Sequence, residues 1–73
     1  MTFERIKQDA NSIVELGFAL NNLAADKSNA EEKGDKAKVR ALDIKINEVK
    51  LQIRNFLISI TNSLKKQEAE LNE

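Results

Sequence analysis

Lys33-Gly34-Asp35 lies near the middle of a 73-residue chain, and its reading decides the fold. Gly34 is one of two glycines, proline is absent, and the segments on both sides have helical spacing. Glycine adopts a left-handed backbone at little cost and is the usual residue just past a helix end. A lysine before it suits the negative end of the helix dipole. Asp35 is placed to cap a following helix by accepting backbone N–H bonds. The expectation is a reversal: one all-α domain over residues 1–73, an antiparallel two-helix hairpin with helices at about 3–33 and about 36–71.

Outward from the turn, the second helix carries Val39, Leu42, Ile46, Val49, Ile53, Phe56 and Ile60 at alternating steps of three and four. Leu57 and Leu64 flank this seam. Such alternation keeps one apolar face toward one neighbour. In the first helix, with Thr2 as N-cap, the same rhythm is met by Phe3, Ile6, Ala10, Ile13, Gly17, Leu20 and Ala24, while Val14, Leu16 and Leu23 widen the face. Ser28-Asn29-Ala30-Glu31 matches a capping box and offers an earlier break. Register decides against it. A fold at Gly34 sets Ala24 opposite Ile46, Leu20 opposite Val49, Gly17 opposite Ile53, Ile13 opposite Phe56 and Ala10 opposite Ile60. A fold near Ser28 pairs Val49 with Lys7 and leaves residues 56–64 facing nothing.

This register opposes the small Ala10, Gly17 and Ala24 to the large Ile60, Ile53 and Ile46. Small-on-large layers let helices approach while keeping volume filled. A larger residue at Gly17 is then expected to overpack its layer, at a cost of about 1–3 kcal/mol. Ile6 would meet Ser63, and Phe3 would meet Gln67 where the ends fray.

Ile44, Leu51 and Ile58 are also spaced by sevens, on the face of the second helix turned away from its seam. Phe18 and Val14 stand off the first seam. A lone hairpin gives each helix one neighbour, so these side chains are left in water. Burying one such side chain is worth about 1.5–3 kcal/mol, and a chain this short seldom stabilises itself alone. The expectation is a homo-oligomer, most simply a dimer forming a four-helix bundle, with Phe18, Ile44, Leu51 and Ile58 in the interface. A different protein partner is the other way to cover them.

The composition offers little for catalysis. Cysteine, histidine, tyrosine and tryptophan are absent. That removes disulfides, thiolate chemistry, finger-type zinc sites and the commonest general base. The acidic residues are read as solvent-facing, without the Glu-x-x-His pattern of a carboxylate-bridged metal pair, and there is no phosphate-cradling glycine loop. No enzyme, cofactor, metal or small-molecule substrate is expected. No apolar run approaches a membrane span, and mixed charge without Trp or Tyr anchors argues against a membrane surface. Met1-Thr2-Phe3-Glu4-Arg5 has no apolar run behind a basic start, so a signal peptide is not expected. A cytoplasmic chain is the default, and frequent Lys, Asn and Ile suggest an AT-rich bacterial or phage genome.

Twelve basic and twelve acidic residues cancel, so no global field attracts nucleic acid. The second helix nevertheless holds Lys36, Arg40, Lys50 and Arg54 along one side. A dimer would double this stripe, which could grip a phosphate backbone. No aromatic residue is interleaved to stack on bases, so nucleic acid is not the expected partner. The leading expectation is a non-catalytic, self-associating module that binds other helices, in the manner of a chaperone or inhibitor. The competing expectation is a homodimeric nucleic-acid-binding regulator.

Overall fold

The computed structural model describes residues 3–71. It contains helix α1, Glu4–Glu32, and helix α2, Lys36–Leu71. The two pack against each other as an antiparallel hairpin. Its Cα extents are 60 × 15 × 10 Å and its radius of gyration is 17.1 Å. A compact domain of this length would have a radius near ~11 Å. The molecule is a narrow rod, and that shape limits how much of any side chain it can cover.

The reversal forms as the turn chemistry requires. Gly34 has φ +71°, the left-handed region. Lys33 closes α1, and the paired bonds from Gly34 N–H to the Glu31 carbonyl (3.0 Å) and Asp35 N–H to the Ala30 carbonyl (2.9 Å) satisfy its last turn. The Asp35 carboxylate accepts the Lys38 N–H at 3.1 Å, capping α2. Helix α1 runs unbroken through Ser28 and Asn29, so the alternative break there does not occur. At the other end α1 begins at Glu4, with Phe3 flanking it and making no side-chain cap. The expected Thr2 cap lies outside the described residues.

In α2 the expected seam is the observed one. Leu42 is buried, and Val39, Ile46, Val49, Ile53, Phe56 and Ile60 are half-buried, continuing to Ser63 and Gln67. Helix α1 differs. Its inward positions are Ile6, Asp9, Ile13, Leu16, Leu20, Leu23, Lys27 and Ala30, still in alternating threes and fours. Ala10 and Ala24 are exposed, and a Cβ placed on Gly17 would meet no atom within 4 Å. The small-on-large layers are therefore absent, and so is the overpacking expected at Gly17. The cause is a rotation of α1 by about half a residue step, or ~50°, which keeps Ile6, Ile13 and Leu20 inward while exchanging their neighbours. Turning Leu16, Leu23 and Ala30 inward buries more apolar surface than turning Ala10, Gly17 and Ala24 inward. Phe3, expected on the seam, is left exposed.

Two cross-helix ties hold the register. Lys27 Nζ lies 2.7 Å from Asp43 Oδ1, and Ser59 Oγ donates to Asp9 Oδ2 at 2.7 Å. Both agree, within about a residue, with a fold at Gly34.

Candidate interaction surfaces

The hairpin hides very little. Among the described residues the buried side chains are Ala30 (2% exposed), Leu42 (8%) and Asp9 (5%). Phe3, Val14, Phe18, Ile44, Leu51, Leu57, Ile58 and Leu64 are each between 44% and 65% exposed. Helical geometry sorts these eight onto separate parts of the surface.

Ile44, Leu51 and Ile58 are seven apart on α2 and opposite its seam, so they form one row along the hairpin's outer edge. Phe18 is likewise opposite the seam of α1. It therefore stands on the far edge of the rod, and no single flat partner covers it together with the α2 row. The structure leaves all four expected interface residues exposed but brings only three of them together.

The remaining four share a broad face. Lys27 contacts both Glu31 (3.9 Å) and Asp43 (2.7 Å), which fixes the flank of each helix that faces the same way. On that face, toward the open end, lie Phe3 and Val14 from α1 with Leu57 and Leu64 from α2. Ala10, Gly17 and Ala24 run between them. The sequence reading missed this surface because it had turned the small residues inward. The signal was present in the positions of Val14, Leu57 and Leu64 beside the seams.

Lys36, Arg40, Lys50 and Arg54 are all exposed and do share one side of α2. They lie on the same broad face, nearer the turn. A shallow groove there is lined by Glu31, Gly34, Lys36, Val39, Arg40 and Asp43, so acidic and basic groups alternate in it. The Asp43 carboxylate raises the Lys27 pKa above the ordinary lysine value, mainly through their hydrogen bond and then through charge attraction. Partial burial opposes that rise, and Glu31 adds to it.

The opposite broad face is polar. Gln8, Glu15, Asn22 and Asn29 of α1 and Glu48, Asn55 and Asn62 of α2 line it, all exposed. At its edge is a buried acidic residue that departs from the solvent-facing expectation. Asp9 takes an inward position, where it accepts from Ser59 and lies 3.7 Å from Arg5 Nε. Burying a carboxylate demands such partners.

Among the described residues no group of His, Cys, Asp or Glu could hold a metal ion, and no helix is long and apolar enough to cross a membrane. The class defined by fold and surface is the antiparallel helical hairpin with apolar residues on its outside. The chain matches no protein-family model, no curated protein and no solved structure.

Proposed function

We propose that this chain is a non-catalytic interaction module whose hairpin self-associates into a four-helix assembly and offers a further apolar face to a helical protein partner. One observation carries the reading: among the described residues, two apolar side chains are buried and eight large ones are exposed. Covering the Ile44, Leu51 and Ile58 row would contribute about 1.5–3 kcal/mol per side chain before the entropy of association is counted. Sedimentation at several concentrations tests it, with Leu51→Glu as control. Wild-type chain should sediment as a dimer or larger species, and the variant as a smaller one. A wild-type chain that stays monomeric and fully helical overturns the self-association.

A second reading has its own support, the exposed basic side chains at Lys36, Arg40, Lys50 and Arg54. It makes the assembly a nucleic-acid-binding regulator. Charge reversal at Lys50 and Arg54 separates the two readings. Loss of a salt-sensitive affinity for duplex or single strands supports the second, and no binding at low salt removes it.

A further inference from the structure

The broad face marked by Lys27 carries two kinds of exposed group, and they are separated along the rod. At a helical rise of about 1.5 Å per residue, Leu57 lies about 10 Å, Lys50 about 21 Å and Lys36 about 42 Å from Leu64 toward the bend. The open half therefore presents Phe3, Val14, Leu57 and Leu64. Lys7 and Glu68 at its margins supply one charge of each sign. Beyond Leu57 the exposed groups turn basic, Arg54 and Lys50 first, then Arg40 and Lys36. The acids along this stretch, Glu31 and Asp43, both lie against Lys27, at 3.9 and 2.7 Å. Among the described residues none of the four basic groups forms an ion pair.

From this order, and building on the partner-binding face proposed above, we infer that the broad face takes an acidic amphipathic helix of another protein. The apolar side chains of that helix rest on Phe3, Val14, Leu57 and Leu64. Its carboxylates run on toward the bend, where they meet Arg54 and Lys50. Leu57 and Leu64 are seven apart, the spacing at which a helix laid along a groove is anchored. The floor admits such a helix. A Cβ on Gly17 would meet no atom within 4 Å, and the exposed Ala10 and Ala24 continue the same low strip. Small side chains at a contact let two helices approach closely. A basic helix is disfavoured by the unpaired cations, because like charges brought together across an interface are penalised. A nucleic acid would engage the basic groups alone and leave the four apolar side chains uncovered.

The test uses the full chain and two labelled synthetic helical peptides of about 28 residues, ~42 Å long, followed by fluorescence anisotropy. Each peptide has leucines on one face of its first half. On the same face of the second half, one carries glutamates and the other lysines. The acidic peptide should bind, and more weakly as salt rises. The basic peptide should bind severalfold less tightly at low salt. Lys50→Glu with Arg54→Glu should reverse that order, and Leu57→Gln with Leu64→Gln should weaken both peptides. All four positions are exposed, so circular dichroism should find each variant folded. Equal affinity for the two peptides, or an order unchanged by charge reversal, overturns the acidic assignment while the helix-binding reading stands. Binding of neither peptide overturns both. A short DNA duplex or RNA strand that displaces the acidic peptide, and binds the Leu57→Gln, Leu64→Gln chain undiminished, makes this a nucleic-acid site and overturns the inference. Loss of self-association by sedimentation in that same variant gives the face to a second copy and likewise overturns it.

Discussion

A methyl group added to Gly17 finds no atom within 4 Å, so Gly17→Ala exchanges a helix-weakening residue for the strongest helix former without steric cost. The expected result is a gain of up to about 1 kcal/mol, read as a higher thermal midpoint at fixed protein concentration. Gly34 is the opposite case: at φ +71° an alanine is strained, and Gly34→Ala should lose about 1–2 kcal/mol. The two glycines thus answer the same substitution with opposite sign. Asp9 is the third informative position. Ser59→Ala takes the 2.7 Å hydrogen bond from a nearly buried carboxylate and should cost about 1–3 kcal/mol in urea denaturation. Asp9→Leu combined with Ser59→Ala removes both polar groups and should recover most of that loss. None of this was readable for Asp9 from the sequence, because an aspartate among apolar neighbours suggests a solvent-facing position. Its burial follows from Leu16 and Leu23, seven and fourteen residues on, being turned inward.

At the scale of the elements, the legible parts were those with a single solution. Gly34-Asp35 had one plausible conformation, and the seam of α2 had one set of large side chains at the right spacing. Helix α1 had two adjacent sets, Gly17 beside Leu16 and Ala24 beside Leu23. A helical period between three and four admits either. A volume argument favoured the small set, and the greater apolar area of the leucines decided for the other. The outer row of Ile44, Leu51 and Ile58 was legible because it depends on α2 alone. The broad-face cluster depends on how α1 is rotated, and so it was not. The helix pair also carries a pH dependence through Lys27. Its raised pKa means that the charged form is preferred in the folded hairpin. That stabilisation is complete below the ordinary lysine value of 10.5 and is lost as pH rises through the raised folded value. Thermal midpoints should be insensitive to this pair near neutrality and fall above about pH 10.5. Comparing wild type with Lys27→Met isolates it from the other lysines: the wild-type curve should descend more steeply.

For the whole molecule, sparse burial means that much of the stability should come from the proposed self-association. The thermal midpoint should rise with protein concentration, as it does whenever association favours the folded state. Leu51→Glu should flatten that dependence while leaving the turn intact. Within each hairpin the cohesion is uneven. The two buried apolar residues, Ala30 and Leu42, and the Lys27–Asp43 tie all lie within a few turns of Gly34. The rod is therefore clamped at its bend and opens from its free tips, like tweezers. Amide hydrogen exchange along α1 and α2 should slow progressively toward the bend, and partial opening would release the Ile6 and Ser63 region first, before the Asp9–Ser59 tie, while the hinge end stays shut. Because the segments joined at the hinge are neighbours in the chain, closure there needs only a short loop, and the tweezers can shut quickly each time they part.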